Sequence, residues 1–271
     1  MKDSDTMAPA MAAGVVTRQI KVNGLSVTYH EAGQANTAHP PIVLVHGSSG
    51  STMGHFGFLF PLLAVRHRVI SLDMTMPVKK GEKLELKHLE AQVLAVMNAA
   101  SPGQPVTLLG FSLGAVVAAH IAARQPALIQ NLVLLAGWAK TDTMMTFFNR
   151  TWFALRNAGV PEINDYTIYA AFGAPFLADK TVEMMTAGAM PLDEFVDAQM
   201  ELNARPRSPA WSIVLRPIRR NIRLAPPFPR SNRNPEERKD DTTVHSRHVH
   251  HHRRGRLWRA GHGDAPEGNR L

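Results

Sequence analysis

The chain has 271 residues, 45% of them hydrophobic, enough for one large core or two small ones. It contains no cysteine, which excludes disulfides, thiolate metal sites and a cysteine nucleophile. The formal net charge of +8 is unevenly placed: residues 1–204 hold 14 Lys+Arg against 16 Asp+Glu, and residues 205–271 hold 16 against 6, so the basicity belongs to the last quarter alone.

Residues 1–15 are expected to form a disordered leader; Asp3 and Asp5 and the lack of a long apolar core do not fit a secretory signal. "RQIKVNGLSVTYHEAG", residues 18–33, alternates apolar and polar around Asn23-Gly24 and predicts a β-hairpin. "PPIVLVHGSSG", residues 40–50, is an unalternating apolar run ending in a glycine-serine loop, the pattern of a strand buried on both faces. Residues 58–75 read as a short helix followed by a buried strand, Arg68–Leu72. In residues 83–100, Leu84, Leu89, Val93 and Val96 recur at helical spacing. A strand Val106–Leu109, an abrupt turn and a helix 113–124 follow, and residues 128–139 supply a further buried strand. Strands alternating with helices predict an α/β core over residues 16–139, a mostly parallel sheet with helices on both faces. Residues 140–204 break the alternation and read as a helical cap. Their Phe147, Phe148, Trp152, Phe153, Tyr169, Phe172 and Phe176, with Met144, Met145, Met184 and Met185, read as core rather than pocket, in an insertion after a sheet strand where a lid would sit. No apolar run approaches the ~18 residues of a membrane span, and a cytoplasmic location is expected.

The turn between the strand 106–109 and the helix 113–124 reads Gly110-Phe111-Ser112-Leu113-Gly114. A nucleophile at the tip of a strand-to-helix turn needs small residues two positions to either side, and Gly110 and Gly114 meet that demand. The helix N-terminus then aims backbone N–H groups and the positive dipole end at the reacting centre. Acyl transfer also needs two N–H donors for the developing oxyanion. Leu113 is the expected first donor, and Ser48, after His46-Gly47 in the 43–50 loop, the second. His46 is expected to be a structural residue of that loop.

"VLVHGSSG", "RVISLD", "LLGFSLG" and "LVLLAGWA" resemble the α/β-hydrolase fold, in its esterase, lactonase and haloperoxidase-like branch, over residues ~18–204. The resemblance implies a serine hydrolase with Ser112 as nucleophile and the N–H groups of Ser48 and Leu113 as oxyanion hole. It implies a small hydrophobic acyl substrate (a carboxylic ester, lactone or thioester) and neither cofactor nor metal; no oligomeric state is assigned. One departure is the loop "DMTMPVKKGEKLEL" after Asp73, which lacks the D-x-R-G-x-G-x-S text of many relatives.

In this family the acid follows a late apolar strand and the histidine a later loop, so both are sought in residues 205–271. That segment has 15 Arg, 8 Pro and 6 His, and after Ser212–Leu215 no buried strand is read there. It is expected to be a basic, disordered tail in place of the last part of the core. Two origins stand open: a natural basic tail, or text read out of frame from near residue 205. His262 in "RAGHGD" is the candidate base, with Asp240 or Asp241 upstream as acid. Asp142 is expected to begin a cap helix, His120 to be a packed structural histidine, and Asp73 to cap a loop. The "HVHHH" run at 248–252 is read as incidental histidine richness. No specific nucleic-acid partner is expected, because Trp211 and Trp258 stand far apart without a binding module. The competing functional reading is a hydrolase-fold protein with a degraded C-terminus and little or no catalysis.

Overall fold

Asn23 and Gly24 both take left-handed backbone (φ 49° and 85°), the two-residue turn whose twist matches an antiparallel pair. They join β1 (Val16–Val22) to β2 (Leu25–Ala32) in the register Val22 opposite Leu25. The computed structural model describes residues 12–34, 39–79, 82–178, 180–182, 185, 192–205 and 222–224. After the hairpin come β3 (Ile42–Val45), two short helices α1 (Thr52–Phe56) and α2 (Leu59–Ala64), and β4 (Val69–Asp73). Then follow α3 (Leu86–Ala100), β5 (Val106–Phe111), α4 (Leu113–Arg124) and β6 (Ile129–Leu135). Among the described residues the strands form one seven-stranded sheet, ordered β1-β2-β4-β3-β5-β6-β7, with β7 at Ile222–Leu224. β1 and β2 are antiparallel to their neighbours, and β4, β3, β5, β6 and β7 are mutually parallel.

Side chains alternate across the pleat and both faces are covered, so the central strands carry few polar residues. Val43, Val45, Ile70, Leu72, Val106 and Leu108 face one side, with Leu89, Val93 and Val96 of α3 and Val117 and Ile121 of α4. Ile42, Leu44, Val69 and Leu109 face the other, against Phe56 and Phe60 of the α1–α2 pair. Burying each such side chain contributes about 1.5–3 kcal/mol before chain entropy is set against it. One of those few polar residues, Ser71 on β4, is buried but hydrogen-bonds through its Oγ to Thr52 Oγ1 (2.8 Å).

Three expectations need correction. Ala12 and Val15, inside the segment read as a disordered leader, pack against the second face; residues 1–11 lie outside the described residues. After residue 215 a strand does occur. Ile222–Leu224 pairs in parallel with Leu132–Leu134, continuing the ladder from the edge of β6. Three residues are too short for periodicity to reveal. Apart from Arg205 and this strand, the segment 205–271 lies outside the described residues, including His245, the 248–252 run, Trp211 and Trp258. The cap's aromatics, finally, divide. Within α5 (Thr143–Asn157), α6 (Ile163–Ala171), α7 (Ala174–Leu177) and α8 (Glu194–Ala204), a small core of Trp152, Ile163, Val196 and Met200 takes in Phe148 and Phe153. Met144, Phe147, Tyr169, Phe172 and Phe176 are instead exposed. No helix among the described residues is long and apolar enough to cross a membrane.

Candidate active site

Apart from Asn23 in the hairpin turn, the described non-glycine residues with positive φ are Ser49 (54°), Ser112 (53°) and Ala136 (50°). All three follow the carboxyl ends of parallel strands, β3, β5 and β6. Strain persists in a fold only where the surroundings over-determine it, and it clusters at functional sites. Ser112 sits at φ 53°, ψ −120° as the residue before α4. It is held on both sides: its N–H donates to Leu135 C=O (2.9 Å), and its own C=O accepts from Ala115 N–H (2.9 Å).

The flanking glycines are dictated by close approach. A Cβ on Gly110 would stand 2.6 Å from Ala115 Cα and closer still to the Gly114 carbonyl. One on Gly114 would stand 2.5 Å from the His46 carbonyl and closer still to that of Val45. The first turn of α4 therefore lies directly on the end of β3. The same contact brings the β3–α1 loop over the serine, since a Cβ on Gly47 would be 2.8 Å from Ser112 Cβ and 3.4 Å from its Oγ. Ser48, Leu113, Gly110, Gly114 and Ser112, all picked out in the sequence, are thus gathered at one point above the sheet.

Two histidines shape that loop. His46 is buried; its Nδ1–H donates to Gly47 C=O (2.8 Å) and its Nε2 accepts from Met74 N–H (2.9 Å). Burial pushes its pKa down, against the raising effects of the Gly47 carbonyl and Asp73. With both ring nitrogens occupied it ties the β3 and β4 loops together, as a structural residue. His55, on α1, accepts the Gly47 N–H at Nδ1 (3.1 Å) and sets its ring edge-on to Phe111, 4.9 Å between centroids. Burial, followed by the nearby His46, brings its pKa from 6.5 to about 4, so at neutral pH it is an uncharged acceptor. Gly50 completes the loop, turning back through its N–H to Gly47 C=O (3.3 Å), at a point where a Cβ would enter the His55 ring.

Asp73 anchors α1: its Oδ1 accepts Thr52 N–H (2.6 Å) and its Oδ2 meets His30 Nε2 (3.2 Å). Burial works to raise its pKa, but the hydrogen bonds from Thr52 and then His30 outweigh it and hold the carboxyl below its ordinary value. Asp142 caps α5 by accepting Met145 N–H (2.8 Å), and His120 is paired with Glu90. Both fit the structural parts expected for them.

Two further residues at the loop went unread in the sequence. Gln199 Oε1 accepts Ser49 N–H (2.9 Å), and Asn203 Nδ2–H donates to Ser48 Oγ (2.9 Å). Their signal was available: Val196, Gln199, Met200 and Asn203 follow the i, i+3, i+4, i+7 stripe of a packed helix, with amides in two apolar positions. Among the described residues no side chain is hydrogen-bonded to Ser112 Oγ. His262, Asp240 and Asp241 lie outside the described residues.

A family model described as "alpha/beta hydrolase fold" matches residues 40–195. A pyrrolizixenacetamide deacetylase of Xenorhabdus hominickii is 36% identical over 123 residues, which cover 44% of this chain and 44% of that protein. The chain spans under half the length of the curated relatives it matches, 44% and 49%. A hydrolase from Pseudomonas aeruginosa PA01 superposes with a TM-score of 0.57 at 19% identity, covering 72% of this chain and 74% of its own. MGS-M2, an α/β-hydrolase enzyme from a Medee basin deep-sea metagenome library, superposes with a TM-score of 0.59 at 17% identity over 72% and 74%. At such identities the likeness is one of fold.

Proposed function

The chain belongs to the α/β-hydrolase fold family, and from there we propose that it is a serine hydrolase acting on a carboxylic ester, lactone or thioester. The observation that carries the proposal is Ser112 at φ 53°, directly beneath the Gly47 loop, 2.8 Å from where a side chain there would begin. Ser112 Oγ attacks the acyl carbon as a base takes its proton, and the N–H groups of Leu113 and Ser48 hold the oxyanion. The bond to the leaving group breaks, the base returns the proton to it, and an acyl-enzyme remains. Water, deprotonated by the same base, then releases the acid and restores Ser112. His262, preceded by Asp240 and Asp241, is the base this reading assigns. The deacetylase name of the Xenorhabdus relative makes short acyl groups the first substrates to try.

Short-chain nitrophenyl esters should be hydrolysed by the wild type and not measurably by Ser112→Ala, and a fluorophosphonate should label the wild type alone. Equal hydrolysis by both proteins would remove Ser112 from the reaction. The competing reading, a hydrolase fold with little catalysis, rests on the sequence of residues 205–271, rich in Arg and Pro where the family's acid and histidine are sought. Failure of both labelling and hydrolysis in the wild type would establish it.

A further inference from the structure

The loop that carries Ser48 is held from above by the cap. Ser49 N–H and Ser48 Oγ are bonded to Gln199 and Asn203, 150 and 155 residues away in sequence, one helical turn apart on α8. On the same stripe Val196 and Met200 pack into the cap core with Trp152 and Ile163. The end of α8 is fastened separately: Thr141 Oγ1–H is shared by the Asn203 and Arg205 carbonyls (3.3 and 3.0 Å), and Arg205 Nη1–H donates to Leu84 C=O (2.6 Å). Both amides are buried, 1% and 6% exposed, yet among the described residues Gln199 Nε2 and Asn203 Oδ1 have no hydrogen-bond partner. A helix needing only to pack would carry apolar side chains there, because half-satisfied buried amides are costly. Gln199 Oε1 accepts the N–H of Ser49, a residue held in left-handed backbone, and Asn203 Nδ2 is divided between Ser48 Oγ and, more weakly, Met200 Sδ on its own helix (3.8 Å).

We infer that Gln199 and Asn203 are positioning residues for the oxyanion hole, and that α8 latches the Ser48–Ser49 loop over the nucleophile. This rests on the reading of Ser112 as nucleophile and Ser48 as oxyanion donor. The cap then takes part in the chemistry: while α8 is seated the Ser48 N–H is aimed, and when α8 lifts the loop loses its hold. Losing an oxyanion donor outright costs about 100- to 1,000-fold in kcat, so a donor left in place but unaimed should cost about tenfold or more.

The test is Gln199→Met, which suits the Val196–Met200 stripe and removes the acceptor, beside Gln199→Glu, which keeps an oxygen for Ser49 N–H. Amide hydrogen exchange at Ser49 should quicken at least tenfold in Gln199→Met, with β3 unchanged, and return toward wild type in Gln199→Glu. With nitrophenyl acetate, Gln199→Met should lose kcat tenfold or more at a KM within about twofold, with its urea midpoint retained. Unchanged Ser49 exchange in Gln199→Met overturns the latch, whatever the activity. Faster exchange with unchanged kcat overturns its part in catalysis. A wild type that neither hydrolyses the ester nor takes up the fluorophosphonate, but shows the expected exchange pattern, overturns the assignment of Ser112 and upholds the latch.

Discussion

Acid should destabilise this protein well above the pH at which carboxylates protonate, and His55 is a principal reason. Its Nδ1 accepts the Gly47 N–H, and burial, aided by His46, takes its pKa from 6.5 to about 4. Unfolding restores the ordinary value. Between the two values the unfolded chain holds a proton that the folded protein refuses, so stability is complete above about pH 6.5 and declines as the pH falls toward 4. A depression of that size corresponds to about 3 kcal/mol across the window, at about 1.4 kcal/mol per pH unit. His46, pushed down by its own burial, adds in the same direction. Asp73 acts elsewhere: its pKa lies below 3.8, and the stability it contributes is lost only as the pH falls through that depressed value. Urea midpoints measured from pH 7 to 4.5 test the point. In His55→Gln an amide oxygen can still accept the Gly47 N–H but takes up no proton. Its stability should fall with pH by about 1 kcal/mol per unit less than the wild type's. Identical slopes in the two proteins would mean that folded His55 titrates normally, and would refute this account of the loop.

Gly110→Ala should cost about 3 kcal/mol in urea unfolding, the upper end for overpacking, because its Cβ meets only backbone. Gly103→Ala has open space and only its φ of 68° to oppose it, and should cost about 1 kcal/mol; equal costs would show that the elbow relaxes freely. Ser112→Gly should raise stability by about 1 kcal/mol by relieving the left-handed serine, and an unchanged or lower melting temperature would show that Ser112 is not strained.

Much of the core was legible because its signals are local. Asn23-Gly24 specifies its turn, the apolar runs at Ile42–Val45 and Val106–Leu109 announce strands buried on both faces, and two glycines bracket Ser112. β5 continues to Phe111, past the expected end at Leu109, because Gly110 and Phe111 still pair with Leu134 and Leu135. What escaped depends on distant partners. The three residues of β7 become a strand only beside the edge of β6. His55 looks like any short-helix residue until Gly47 is placed against it. Gln199 and Asn203 lie on a legible helical stripe, but their partners are 150 and 155 residues away. The split of the cap aromatics is likewise tertiary, since Phe147 and Phe148 are neighbours in sequence and only Phe148 reaches the cap core.

Chain order also imposes a timetable on the loop above Ser112. The strands and turns that hold the serine end at Leu135, while α8 begins at Glu194. At about 5–20 residues per second, a ribosome takes roughly 3–12 s to make the intervening stretch. Through that interval β3, β5 and β6 can pair, and His55 can take the Gly47 N–H from eight residues away. The bonds to Gln199 and Asn203 close loops of 150 and 155 residues, so they form after the local ones. The helix made last among the cap helices is thus the one that sets the first loop of the site, and a chain stalled before residue 199 carries the serine without its latch.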